Sequence, residues 1–397
     1  MLKIMAVNAG SSSLKFQLLE MPEEKVITSG NIEKIGQSES IFTIKYNGEK
    51  RETHPHVQDH KEAVEMLLNS LIELKIVSNL DEIKGVGHRV VQGGEFFKDS
   101  ALVTDEVVDK IVELADLAPL HNPAHVIGIN AFRKALPNVP EVVVFDTTFH
   151  QTMKPDAYLY GTPYEWYKEY GVRKYGAHGT SHRYVSLRAA QILGKKPEDC
   201  KIIVCHIGNG ASICAVDGGK SVDTSMGITP LGGFPMGTRS GDLDPAVLEH
   251  MANKKGYDIH QLLHILNKES GFLGMSGVGS DARDLTKGMN EGNERCKIAF
   301  EVQAKRIVDF IASYYVYMGG CDMICFTAGL GENLIHHRKR IIDRLQVLGV
   351  KLDEEANNVY SEEKCISTPD SKIQVWIVPT NEEVMIARDT IRLANLK

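Results

Sequence analysis

The sequence predicts an α/β protein made of two duplicated halves, and three observations carry that expectation. Short apolar runs that end in Gly, Asn, Asp or His alternate with stretches of 3.6-residue periodicity, the pattern of strands and helices packed in layers. A hairpin rich in glycine and small hydroxyl residues occurs once near the N-terminus and again at mid-chain. The 397 residues, at roughly 100–200 per domain, are enough for two or three domains, each with its own core.

Each element rests on its own residues. Strands are expected at 2–7 and 14–19, on either side of Asn8-Ala9-Gly10-Ser11-Ser12-Ser13, and at 141–145. Others are expected at 201–205 and 213–216, flanking His206-Ile207-Gly208-Asn209-Gly210-Ala211-Ser212, and at 323–326 and 375–378. Helices are expected where Val64, Leu67, Leu68, Leu71 and Ile72 share a face and over 293–318, where Ile298, Val302, Ile307, Phe310, Ile311 and Tyr314 recur. A last helix, from 383 to 395, carries Val384, Ala387, Ile391 and Ala394 at the same spacing. The repeat sets the expected domains: residues 1–148 joined by the C-terminal helix 383–397, and residues 149–382.

Composition narrows the function. With 45 basic against 52 acidic side chains and a formal charge of −7, the chain lacks the net basic character that polyanions and anionic membrane surfaces select. Neither a nucleic-acid partner nor a membrane partner is expected, and any anionic substrate must be met by a few local cations. Seven cysteines, with no CxxC pair and none in the first half, read as free thiols of a reducing compartment. The first apolar run is too short for a secretory signal and suits a strand. A cytoplasmic protein is expected.

The duplicated hairpin points to phosphate. Gly in the turn lets backbone N–H groups approach an anion closely, and Ser adds hydroxyl donors. One such turn alone is also a plain hairpin turn; two copies suggest a phosphate held between the halves. Rival motifs fit less well. Gly219-Lys220-Ser221 supplies the tail of a Walker A loop, but Cys214 stands where its first Gly belongs. Gly277-Val278-Gly279-Ser280-Asp281-Ala282 matches a dinucleotide fingerprint without the apolar strand that should precede it. His178-x3-His182 and His121-x3-His125 have metal spacing but no accompanying Glu or third ligand.

Phosphoryl transfer asks for cations around the migrating group and a metal on the phosphates. Arg89, after Gly85-Val86-Gly87-His88, and Arg239, inside Met236-Gly237-Thr238-Arg239-Ser240-Gly241-Asp242, have small neighbours that leave a guanidinium open to a ligand. His178 occupies a similar Gly-flanked tip. Asp146 and Glu382-Glu383 follow strand ends and are the acidic candidates for a metal, although the two Glu also suit the first turn of a helix. Thr327 to Asn333 and Ser280 to Asp284 read as turns opening helices, where a nucleotide could sit.

Seven blocks in order carry a resemblance: Asn8 to Lys15, Gly87 to Val91, Phe145 to His150, His178 to Ser181-His182, His206 to Ser212, Met236 to Asp242 and Pro379-Thr380-Asn381-Glu382-Glu383. Together they resemble the acetate kinase family over nearly the whole chain. The resemblance implies two ribonuclease-H-like domains of the actin, sugar kinase and heat-shock chaperone superfamily, with mixed sheets flanked by helices and a cleft between the domains. It implies reversible phosphoryl transfer from ATP to acetate, with Mg²⁺ (Mn²⁺ substituting), in a homodimer. By motif position, Arg89 and Arg239 bind the carboxylate and the migrating phosphoryl group, His178 stabilises the transition state and Asp146 is the catalytic carboxylate. Asn8 and Glu382 position the metal. Lys15, His206, Ile207, Gly208, Asn209, Gly210, Asp281, Ala282, Arg283, Gly329, Leu330, Gly331, Glu332 and Asn333 contact the nucleotide. Val91, Leu120 and Pro230 form the pocket for the substrate methyl.

Two positions depart from the family pattern. Ala177 stands where Phe is common, which could widen the acyl pocket toward propionate, and Gln92 stands where His is common. A propionate or other short-chain carboxylate kinase is the neighbouring alternative. An ATP-driven chaperone or filament protein would need the hairpins but not Arg89, Arg239 and His178.

Overall fold

The computed structural model describes residues 1–119 and 121–397; Leu120, expected at the substrate methyl, lies outside them. The chain divides into two compact units, residues 1–149 with 381–397, and residues 150–380.

In the first unit, β1 (Leu2–Gly10), β2 (Ser13–Met21), β3 (Lys25–Glu33), β4 (Ile41–Tyr46), β5 (Glu49–Thr53), β6 (Ile83–Val90), β7 (Ala101–Leu102) and β8 (Glu141–Phe145) form one sheet in the order β5-β4-β3-β2-β1-β6-β8-β7. The second unit contains β9 (Lys201–Ile207), β10 (Ala211–Asp217), β11 (Lys220–Thr224), β12 (Met323–Thr327), β13 (Lys364–Cys365) and β14 (Gln374–Ile377), ordered β11-β10-β9-β12-β14-β13. The duplication is visible in the pairing. In each unit an antiparallel meander, β3-β2-β1 or β11-β10-β9, is extended from its first strand by two parallel strands, β6 and β8 or β12 and β14. Helices flank both sheets, and the fold class is the mixed α/β one expected.

Alternation along the strands builds two faces on the first sheet. Met5, Val7 and Ala9 of β1 and Leu14, Phe16 and Leu18 of β2 belong to a core shared with helices His60–Glu73 and Asn122–Ala135. The opposite face carries Asn8 and Lys15, paired across the hairpin, and receives the C-terminal helix Glu382–Leu393. Two glycines of β6 let that helix lie directly on the strand. A Cβ on Gly85 would come 2.7 Å from Thr390 Cγ2, and one on Gly87 only 2.3 Å from Ile386 Cγ2. Close approach of the helix brings its first turn to the end of β6, where Arg89 projects.

The second unit's core gathers Ile203, Cys205, Ile207, Ile213, Ile324, Phe326, Ile307 and Ile311 beneath the long helix Glu294–Met318. Ala177 is among them, only 2% exposed, and its carbonyl accepts a hydrogen bond from His150 Nε2. Its methyl group belongs to this buried core. Gln92 is also buried, its Oε1 accepting the Gly94 N–H at 2.9 Å. All seven cysteines are free, and no helix of the described residues is long and apolar enough to cross a membrane.

Candidate functional site

In the first unit the chemistry collects at the C-terminal end of β6. Arg89 forms a bidentate pair with Asp146, just past β8: Nε donates to Oδ1 at 2.8 Å and Nη2 to Oδ2 at 2.7 Å. Parallel pairing of β6 with β8 sets Arg89 opposite Val144, two residues before Asp146 and so on the same face. The Asp146 side chain is 1% exposed and that of Arg89 21%. Burial opposes the arginine's charge, but Asp146 and Glu382 more than offset it, and its pKa rises. Glu382 Oε2 lies 3.9 Å from Arg89 Nε. Burial raises the Glu382 pKa to about 7; Arg89 works against that shift, while Asp146 and Glu383 add to it.

Asn8, Lys15, Gln17, Arg89, Glu382 and Glu383 line one cavity of about 400 Å³. Asn8, expected in a loop, is in β1; the turn of the hairpin is only Ser11-Ser12, both exposed. Glu382 and Glu383 occupy the first turn of their helix, capped by Asn381 Oδ1 accepting the Val384 N–H, where their charge meets the helix dipole as the sequence suggested. Val91 is buried beyond β6.

In the second unit the repeat hairpin is the centre. A Cβ on Gly210 would lie 3.3 Å from Arg239 Nη1 and 3.7 Å from His178 Nε2, and one on Gly237 would overlap Asn209 Oδ1 at 1.7 Å. The second overlap requires glycine at 237 for the Arg239 segment to lie against the hairpin, while the first distances place Arg239 and His178 beside Gly210. Arg239 donates to the Pro230 carbonyl at 3.3 Å and touches Met236 Sδ. Among the described residues no carboxylate pairs with it, and burial alone lowers its pKa. It is, among the described residues, a desolvated cation without a counter-ion.

His178 sits before helix Gly179–Ile192 with a φ of +56°, a left-handed conformation unusual for a residue with a side chain. Its ring stacks on His206 at 4.2 Å, and its Nδ1 is 2.9 Å from Ser212 Oγ, which also lies 2.7 Å from His182 Nε2. His182 is buried with no partner at Nδ1, and burial, then His150 and His206, holds its pKa well below the usual range. Because an orphaned buried N–H is the costlier defect, neutral His182 keeps its proton on Nε2 and donates to Ser212. The single Ser212 hydroxyl proton is then available to His178 Nδ1, and His178 Nε2 is the ring atom nearest Gly210 of the turn. Ser181 Oγ links His206 Nδ1 and Thr380 Oγ1, each at 2.8 Å. The His178-x3-His182 spacing thus marks convergence on a serine. Ser212→Ala strips both rings of a buried partner and is expected to cost about 1–3 kcal/mol in denaturant unfolding.

The remaining nucleotide candidates lie where strands and turns open helices. Thr327 ends β12 and Gly329, Leu330, Gly331 and Asn333 follow in helix Ala328–Asn333. Glu332 Oε1 accepts the Ala328 N–H at 2.8 Å and the Thr380 N–H at 3.4 Å, so its carboxylate shapes the turn at Ala328, whose φ is +64°. Asp281 caps helix Ala282–Asn290 and also pairs with the exposed guanidinium of Arg283. Sequence reasoning did not single out Gln17, Ser181 or Ser212, or assign a role to His182; only the last stood in a spacing motif.

Both units therefore present arginine and small-residue turns suited to anions, the equipment of a phosphotransferase. The model of the acetokinase family matches residues 3–388, and the chain belongs to that family. Its members are kinases with a carboxyl group as acceptor. The chain is 59% identical to the acetate kinase of Acholeplasma laidlawii over 395 residues, covering 99% of this chain and 100% of the relative. It is 56% identical to that of Bacillus subtilis over 394 residues, covering 99% and 100%. Among solved structures, Porphyromonas gingivalis acetate kinase matches with a TM-score of 0.95 at 43% identity, covering 99% of this chain and 100% of that one. A propionate kinase from Francisella tularensis matches at 0.94 and 40%, with the same coverage.

Proposed function

We propose that the protein is an acetate kinase that transfers the γ-phosphoryl group of ATP to acetate reversibly, giving acetyl phosphate and ADP. The observation that carries the proposal is Arg239: a desolvated guanidinium with no carboxylate partner, beside His178 and a glycine hairpin, suits a transferable anion. Curated acetate kinases at 55–59% identity support acetate over propionate.

An acetate carboxylate, with a pKa around 4, is already ionised at neutral pH and needs no base. One of its oxygens forms a bond to the γ-phosphorus as the bond from that phosphorus to the bridging β-oxygen breaks, and no proton moves. The difficulty is repulsion between two anions, which cations offset. In this proposal Arg239 binds the migrating group, and His178 donates from Nε2 to its oxygens. Arg89 binds the acceptor carboxylate while Asp146, with both oxygens engaged by Arg89, orients that guanidinium and is not a base. Val91 and Pro230 are assigned to the methyl group by their motif positions. By motif position, nucleotide contacts are assigned to Lys15 and to residues 206–210, 281–283 and 329–333.

The acid-rich surroundings of Glu382 fit a divalent cation. No three His, Cys, Asp or Glu of the described residues converge as a metal cage, but Mg²⁺ needs only one or two carboxylates with phosphate and water oxygens, and Mn²⁺ accepts the same set. Glu382 and the Asn8 carboxamide would hold it. When bound, the metal neutralises charge on the phosphates.

The raised Glu382 pKa gives a signed expectation. Below about 7 the metal must displace a proton, so apparent Mg²⁺ affinity should weaken by up to about tenfold per pH unit. In metal-free protein the same group binds its proton more tightly folded than unfolded. Its contribution favours folding at low pH and is lost as pH rises through the folded pKa of about 7. Calorimetric Mg²⁺ titrations from pH 6 to 8 check this; an affinity flat with pH would refute it.

The enzyme would act in the cytoplasm as a homodimer, without nucleic acid or membrane. The direct test is hydroxylamine trapping of acyl phosphate from ATP, Mg²⁺ and acetate, propionate or butyrate. Acetyl hydroxamate should dominate, and no hydroxamate from any of the three would reject the kinase reading.

A further inference from the structure

Two buried histidines grip consecutive carbonyls of the first hairpin. His60, at the start of helix His60–Glu73, places Nε2 2.7 Å from the Gly10 carbonyl oxygen. His125, inside helix Asn122–Ala135, places Nδ1 2.7 Å from the Ala9 carbonyl oxygen. The two side chains come from different helices under the same sheet face and are 5% and 3% exposed. A carbonyl oxygen only accepts, so the contacts fix the protons: His60 carries one on Nε2 and His125 one on Nδ1. His125 Nε2 is left as a buried lone pair without a partner. On the far side of the turn the Ser12 carbonyl is held in turn by the Ile35 N–H at 3.0 Å.

We infer that His60 and His125 are positioning residues for phosphate binding, holding the carbonyls of the Ala9-Gly10 segment back so that the turn presents donors to an anion. A trans peptide points its N–H away from its C=O. Fixing the Gly10 carbonyl against His60 therefore directs the Ser11 N–H to the opposite side. An unheld carbonyl free to rotate toward the ligand would set a partial negative charge against a phosphate oxygen. Gly10 contributes as well, because a Cβ there would meet Ser13 Oγ at 2.7 Å. Burial, with Arg89 next, lowers the His125 pKa to about 4, so the ring is neutral in ordinary buffers and the grip on Ala9 adds no charge to the site. The inference rests on the reading of this turn as a phosphate site.

The two contacts use different ring nitrogens, and that makes them separable. Asn carries its N–H at the δ position, where His125 uses its own, and Gln carries it at the ε position, where His60 does. Four variants are needed: His125→Asn, His125→Gln, His60→Gln and His60→Asn. Two measurements follow on each full-length protein: amide hydrogen exchange of residues 9–13 without ligand, and KM and kcat with ATP and with acetyl phosphate. His125→Asn and His60→Gln should keep exchange and KM within about threefold of the parent. His125→Gln and His60→Asn should speed exchange of the turn and raise KM for the phosphoryl donor at least tenfold, with far smaller change in kcat. Thermal unfolding of all four separates these effects from loss of fold, because a purely structural role would scale with the unfolding temperature and not with the crossed pattern. Equal behaviour within each pair overturns the clamp and leaves the phosphate reading standing. A crossed pattern in exchange with none in KM overturns the phosphate assignment of the turn, and the positioning role with it.

Discussion

Arg239→Ala should lower kcat for acetyl phosphate formation about 10³-fold, the scale on which arginine acts in phosphoryl transfer. The expectation follows from what Arg239 does not do. It makes one hydrogen bond to the Pro230 carbonyl and a contact with Met236 Sδ, and burial is the only influence on its pKa. Removing it breaks no ion pair and relieves a desolvated charge, so unfolding free energy should move by no more than about 1 kcal/mol. Arg239→Lys keeps the charge but not the planar fork, and is expected to recover only part of the rate. Single-turnover transfer with saturating ATP and acetate, beside denaturant unfolding of the same preparations, measures both quantities. A rate loss below about tenfold, or one that tracks lost stability, would remove Arg239 from the chemistry.

Strands with unbroken apolar runs were easy to read, and the duplication followed from their hairpins. β8 coincides with the expected 141–145 because all five of its residues are buried. The extension of the first sheet was not legible: β5 is Glu-Lys-Arg-Glu-Thr, mostly exposed and held by backbone pairing to β4, so it carries no apolar alternation. Arg89, Arg239 and His178 stood out because glycine within two residues of a cationic or imidazole side chain is a local signal. Ser212 did not, since its importance comes from two histidines that reach it from a different element. The burial of Ala177 was hidden for a related reason. A motif position says which residues are neighbours along the chain, whereas the side chain's direction into the second unit's core is set by packing.

Arg89→Ala should destabilise the protein by about 3–5 kcal/mol, because it strands the charge of a carboxylate at 1% exposure. Both Asp146 oxygens are bound by the guanidinium at 2.7–2.8 Å, and Glu382 and Glu383 on the adjoining helix add negative charge rather than relief. The stabilising partner and the proposed acceptor ligand are the same side chain, so a loss of activity alone would not distinguish them. The double variant Arg89→Ala with Asp146→Asn does. Neutralising the stranded acid should restore much of the lost stability while acetate affinity stays weak, since the guanidinium proposed to meet the carboxylate is gone. Asp146→Asn alone places amide hydrogens against guanidinium donors and should lower the rate evenly across pH; if Asp146 were a base, the variant would instead abolish an acid limb of the profile. Chemical unfolding of the four proteins in the cycle, with KM for acetate measured on each, decides the matter. Additive losses in the double variant would show that the pair is not the unit proposed, whereas recovered stability with persistent loss of acetate binding separates what Arg89 holds together from what it binds.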